Sequence, residues 1–182
     1  MSTSDAPHNP PRRLTDPASM RALSHPIRLA LVEALIMHVS LTATQAGKVI
    51  GETPTSCSFH LRQLAKYGFI EESDPMPGRS RPWRMKRLGW LLEREPGDEA
   101  QAAAARHLGE MTLNRQLERH RTHGHGSTRA HTIWWVTPEE AAELHAGIEQ
   151  LVMRFRDRLQ DPGARPADAE AVEVVVLTHP FA

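Results

Sequence analysis

The chain of 182 residues has one cysteine, Cys57, and no net charge, Lys+Arg 22 being balanced by Asp+Glu 22. A single cysteine excludes an internal disulfide framework and any multi-cysteine zinc site. No apolar run approaches the roughly 20 residues that a membrane span needs. Residues 1–16 lack the apolar core of a secretory signal, so a cytoplasmic protein is expected. A phosphate-binding glycine loop, a nucleophile elbow and a zinc-protease helix motif are also missing, so neither an enzyme nor a cofactor is expected.

The hydrophobic share of 40% and charged share of 24% are those of a globular chain. Its length suits one domain with an extension, or two small ones. The zero net charge conceals a division. Residues 12–94 carry 13 Lys/Arg against 7 Asp/Glu, net +6, while residues 95–182 carry 9 against 14, net −5, with Asp5 completing the balance. A basic first half suits a polyanionic partner for that half alone.

Pro7, Pro10 and Pro11 among small polar residues predict a disordered tail over residues 1–13. Asp16-Pro17 pairs an N-cap acceptor with a proline at the first helical position. From there Met20, Leu23, Ile27, Leu31, Leu35 and Val39 recur at three- and four-residue spacing, an amphipathic helix that Pro26 breaks in two. Residues 42–50 predict a short helix ended by Gly51. Thr53-Pro54 starts another that runs to Tyr67, with Cys57, Leu61 and Leu64 inward and Gly68 as terminator. Two helices joined by a short glycine-containing turn make a helix-turn-helix. Phe69–Glu72 and Pro82–Lys86, around a Pro/Gly-rich loop, predict a β-hairpin, and the order helix, helix-turn-helix, hairpin is that of a winged helix.

A helix-turn-helix lays its second helix in the major groove. The outward residues there are Thr55, Ser58, Phe59, Arg62 and Gln63, with Ser56 beside them. Arginine can bond guanine through two N–H groups, glutamine can bond adenine, and Phe59 could touch a thymine methyl. An ordinary polar face on a surface helix would look the same. The hairpin separates the two readings, because Arg79, Arg81, Arg84, Lys86 and Arg87 form a basic wing suited to phosphates. The residues expected to contact double-stranded DNA are therefore Thr55, Ser56, Ser58, Phe59, Arg62, Gln63, Arg79, Arg81 and Arg84.

The runs Leu23-Ser24-His25-Pro26-Ile27-Arg28-Leu29, Ser58-Phe59-His60-Leu61-Arg62-Gln63-Leu64 and Gly68-Phe69-Ile70 closely resemble the ArsR-like winged-helix transcriptional regulators, over about residues 17–88. The resemblance implies a homodimeric repressor or activator on a palindromic operator that answers to metals or other signals. It places Thr55, Ser58, Phe59 and Arg62 at the DNA-reading positions, Phe59 departing from the more usual polar residue. The segment after Arg87 resembles an extension seen in some actinobacterial members.

Paired cysteines, one of the family's metal sites, cannot form around Cys57, which reads as an apolar filler. His120, His123 and His125, with His131 near and His145 one turn from Glu149, could bind zinc or nickel and make the protein a metal-responsive regulator. The competing reading is a polar loop over residues 120–131, with no metal. A third alternative is a winged helix used for protein contacts without DNA.

Beyond residue 94 an Ala-rich helix from Asp98 to about Arg121 presents Ala104, Leu108, Met111 and Leu117 on one side. A β-like run, Thr132–Val136, precedes the capping box Thr137-Pro138-Glu139-Glu140. The helix it starts carries Leu144, Ile148, Leu151, Phe155 and Leu159, and a last β-like run spans Val172–Thr178. These apolar seams suit either the chain's own core or dimerisation. Trp134 and Trp135 would face opposite sides of a strand, in plain core contact or lining a pocket for an apolar small-molecule effector. The expected architecture is mainly α with small β: a disordered tail over 1–13, a winged helix-turn-helix DNA-binding domain over 14–94, and a C-terminal α/β dimerisation or sensing region over 95–182.

Overall fold

Local signals start and stop the first helices. The Asp16 carboxylate accepts a hydrogen bond from the Ser19 N–H at 2.7 Å, and α1 runs from Pro17 to Leu23. His25 caps the next helix, its Nδ1 accepting from the Ile27 N–H at 3.2 Å, so α2 spans Pro26–His38 with Pro26 at its first position. The break expected at Pro26 is present because proline offers no N–H to continue α1. The computed structural model describes residues 12–73, 81–87, 89–92, 97–123, 132–176 and 178. It divides into two compact units, Met1–Arg115 and Gln116–Ala182.

In the first unit, strand β1 (Arg12–Leu14) precedes α1, and β2 (Ser40–Leu41) follows α2. Helix α3 (Ala43–Ile50) is started by a capping box between Thr42 and Gln45. It ends at Gly51, whose φ of 75° lies in the left-handed region that favours glycine. Helix α4 (Pro54–Lys66) follows, capped by the Thr53 hydroxyl. Strands β3 (Ile70–Glu72) and β4 (Trp83–Met85) pair antiparallel, and β2 adds to the other edge of β4. Helices α2, α3 and α4, with the β3–β4 hairpin after α4, form a winged helix. The mainly α fold with small β is as the sequence predicts.

The core joins all of these elements. Leu14, Met20, Leu23, Leu31, Leu61 and Leu64 are fully buried, with Val32, Leu35 and Ile70 nearly so. Helix α5 (Glu99–His123) contributes Ala104, Ala105 and Leu108 to the same cluster. Burying one leucine such as Leu108 stabilises by roughly 1.5–3 kcal/mol. The buried Gln101 is also held, donating from Nε2 to the Thr15 carbonyl at 2.6 Å.

Two expectations about boundaries are corrected. Arg12 and Arg13 are not tail but part of β1, which pairs in parallel with β5 (Trp90–Leu92). The Arg12 guanidinium donates to the Tyr67 carbonyl at 2.5 Å and to Ser19 Oγ at 3.1 Å, and lies 4.4 Å from the centre of the Phe69 ring. Residues 1–11 lie outside the described residues. The unit also extends past residue 94 to Arg115, because the buried face of α5 completes its core. Arg115 closes it, donating from Nε to Glu33 at 2.8 Å.

In the second unit, α6 (Pro138–Met153) starts at the expected capping box, Thr137 with Glu140. The expected helix to Leu159 is interrupted: residues 154–156 form a turn, and α7 covers only Asp157–Gln160. Neither β-like run forms a strand among the described residues. Strand-forming side chains need a pleated, half-buried surface to fit, and among the described residues no partner strand supplies one. Arg119 forms an ion pair with Glu173, and His145 Nε2 lies 3.0 Å from Thr178 Oγ1. Core contact for the tryptophans is overturned, Trp134 being 61% and Trp135 99% exposed. Leu151 of α6 and Phe155 of the turn after it are also exposed. Among the described residues, no helix is long and apolar enough to cross a membrane.

Candidate nucleic-acid interface

The turn between α3 and α4 is set by a close approach. A Cβ added to Gly47 would stand 2.5 Å from the Glu52 carbonyl oxygen, so only glycine lets the turn fold back on α3. The Glu52 N–H donates to the Gly47 carbonyl at 2.9 Å, and the Thr53 hydroxyl accepts from the Ser56 N–H at 3.2 Å. These contacts aim α4.

One face of α4 is buried through Cys57, Leu61 and Leu64, as expected, and also through His60. The opposite face exposes Thr55, Phe59 and Arg62, while Ser56, Ser58 and Gln63 are half-buried at its margins. Arg62 lies along its own helix: Nε donates to the Ser58 carbonyl at 3.2 Å and Nη2 to Ser58 Oγ at 2.9 Å. Ser58 therefore holds the guanidinium in place. Helices α1, α3 and α4 together carry Arg21, Lys48, Arg62 and Lys66 and no carboxylate.

The wing arginines have internal partners. Arg81 donates to Glu72 Oε2 at 3.0 Å, and Arg84 Nε donates to Glu71 Oε1 at 3.0 Å. Side-chain exposure of 65% and 44% in the first pair, and 55% and 38% in the second, leaves both open to solvent. Such pairs hold weakly, at about 0–1 kcal/mol, and can exchange carboxylate for phosphate. Arg79 lies outside the described residues.

His60 is the residue that the spacing of the helix does not reveal as more than core. Its ring centre is 4.5 Å from that of His25, and the Phe59 ring meets it edge-on at 5.1 Å. Its Nδ1 is buried without a hydrogen-bond partner. Burial holds the His60 pKa below the ordinary histidine value, and the charges of His25 and Arg28 add to this against an opposing effect of Glu52. Burial and Arg28 lower that of His25 likewise. The two tilted imidazoles thus join the cap of α2 to α4. The only sequence signal for the pair is that the two residues stand in two of the three runs that carry the family resemblance.

Cys57 is the buried filler expected, and burial, with Glu52, pushes its thiol pKa up. The histidine cluster is placed only in part. His120 and His123 lie on α5, which continues through the start of the expected loop, and His125 and His131 lie outside the described residues. Among the described residues, no three His, Cys, Asp or Glu side chains gather as metal ligands would.

Residues 23–73 match the model of a helix-turn-helix domain family. No curated protein matches the chain. Among solved structures, the crystal structure of the YusO protein from Bacillus subtilis is similar, with 13% identity and a TM-score of 0.36, over 75% of this chain and 83% of that one. A likeness of that size carries no statement about function.

Proposed function

We propose that the chain is a sequence-specific, DNA-binding transcriptional regulator of the ArsR-like kind, acting as a repressor on double-stranded operator DNA in the cytoplasm. The observation that carries this reading is the outer face of α4. It presents Thr55, Phe59 and Arg62 on an acid-free helix pair, beside a wing whose Arg81 and Arg84 stand in exchangeable ion pairs. Major-groove reading needs a protruding helix with polar side chains, and backbone binding needs cations free to meet phosphates. The role is binding rather than catalysis.

The protein acts as a homodimer through the unit Gln116–Ala182. Exposed Trp134, Trp135, Leu151, Phe155, Val174 and Val176 give that unit the apolar surface that marks an interface, and a second copy would place two α4 helices on a palindrome. An effector, metal or organic, would act through the same unit.

Fluorescence anisotropy with random duplex at low salt tests the reading. Affinity should fall with added salt, and changing Arg81 and Arg84 to Ala should flatten the log–log slope by up to about 0.9 per lost phosphate contact. A salt-independent affinity overturns it and favours a protein-contact module.

A further inference from the structure

Arg28, in the first turn of α2, has a guanidinium partly withdrawn from water. Its Nη2 donates to the Arg21 carbonyl at 3.3 Å, and its Nε is buried with no hydrogen-bond partner. Burial lowers its pKa, and the Tyr67 phenol works against that. A guanidinium has five N–H donors and no acceptor, so an unanswered buried N–H is a cost that an acceptor would remove.

The same side chain lines a cleft of about 250 Å³. Arg21, Gln63 and Tyr67 share the lining, the small side chains of Ala18 and Ala22 leave the space open, and no carboxylate borders it. Arg21 is exposed, while Gln63 and Tyr67 are half-buried, so the cleft is reachable from solvent. Two arginines, a glutamine and a tyrosine thus line a space without a counter-charge.

We infer that this cleft between α1, the start of α2 and the end of α4 binds an oxyanion of phosphate size. Arginine forks fit tetrahedral and planar oxyanions with two N–H groups each, and no carboxylate lining the cleft competes for those of Arg21 and Arg28. Gln63 belongs to the DNA-facing helix, so an anion here contacts that helix directly. The anion can be a backbone phosphate of the duplex, a source that rests on the DNA-binding reading, or a free small anion, which does not.

The experiment follows the Arg28 Nε–Hε resonance of the ¹⁵N-labelled full chain by NMR, assigned by its loss in Arg28→Lys. Inorganic phosphate is titrated against chloride at constant ionic strength, and duplex DNA is titrated separately. A saturable shift with phosphate, weakened severalfold in Arg21→Gln and in Gln63→Ala, supports a free-anion site. A shift with duplex alone, weakened by the same substitutions, supports a backbone-phosphate site. A resonance moved by neither ligand, or moved equally in the two variants, overturns the site. Anisotropy on the same samples reports DNA binding independently, so loss of the site and loss of the DNA reading are distinguishable.

Discussion

Glu71 and Arg84 are Cα partners across the β3–β4 ladder, and the Arg84 guanidinium donates to Glu71 Oε1 from Nε at 3.0 Å, with Nη2 2.9 Å from the same oxygen. A carboxylate thus occupies the donors that a DNA phosphate would use. Glu71→Gln should raise duplex affinity severalfold at low salt. In an Arg84→Gln background the same change should do little, which separates release of Arg84 from general relief of repulsion. Equal gains in both backgrounds, read by anisotropy, would show that Glu71 acts only as a nearby charge.

Arg62 and Ser58 make the corresponding prediction on α4. The guanidinium is held along the helix by two hydrogen bonds to Ser58, so it is ordered before DNA arrives. Arg62→Ala should weaken binding to a selected operator by about tenfold or more, since a two-pronged base contact contributes about 1–3 kcal/mol of discrimination. Ser58→Ala, which removes only the hydroxyl, should cost less. Competition with random duplex checks whether Arg62 supports specificity or affinity alone.

Gly47 should tolerate no side chain. Alanine there would press on the Glu52 backbone carbonyl, and backbone cannot swing aside as a flexible side chain can. Gly47→Ala should lower stability by about 1–3 kcal/mol, the range of core overpacking. Urea unfolding followed by circular dichroism measures it, and wild-type stability would refute the close approach.

His25 and His60 predict a pH dependence with a definite sign. Both pKa values are lowered in the fold, so below the unfolded-chain value of about 6.5 the unfolded state binds more protons. Their neutral-state stability is fully present above that pH and is lost as pH falls through it towards the folded values. Urea midpoints should therefore drop between pH 7.5 and pH 5.5, and His60→Phe should reduce the drop. A midpoint unchanged over that interval would contradict the packing of the two neutral rings.

The extent of the first unit can be read from truncation. A chain ending at Arg115 keeps Ala104, Ala105 and Leu108 in the core and the Arg115–Glu33 ion pair, and should unfold cooperatively. A chain ending at Arg94 leaves the face that α5 covers open to water. It should be less stable by several kcal/mol, as a fully buried leucine and two alanines are lost together. Equal urea midpoints for the two fragments would show α5 to be dispensable.

Nearest-neighbour chemistry is enough to read much of this molecule from its residues in order. Asp16-Pro17, Thr53-Pro54, Gly51 and the Thr137–Glu140 box each satisfy or terminate backbone groups within a few residues, so helix ends are legible wherever they occur. The spacing of Cys57, Leu61 and Leu64 likewise decides which face of α4 points outward, because helical period alone sets it. Contacts between residues far apart in the chain are decided by the tertiary structure. The return of Arg12 to Tyr67 makes a strand of the expected tail, and the burial of Leu108 moves the unit's end from residue 94 to 115. The contact of His25 with His60 and the pairing of the wing arginines with Glu71 and Glu72 depend on elements meeting in space. Strand propensity in Thr132–Val136 could not by itself supply a partner strand, so Trp135 is exposed where a core position was expected. Local hydrogen bonding and helical period are properties of short stretches, whereas burial, charge pairing and the cleft at Arg28 arise only when distant stretches share the same space.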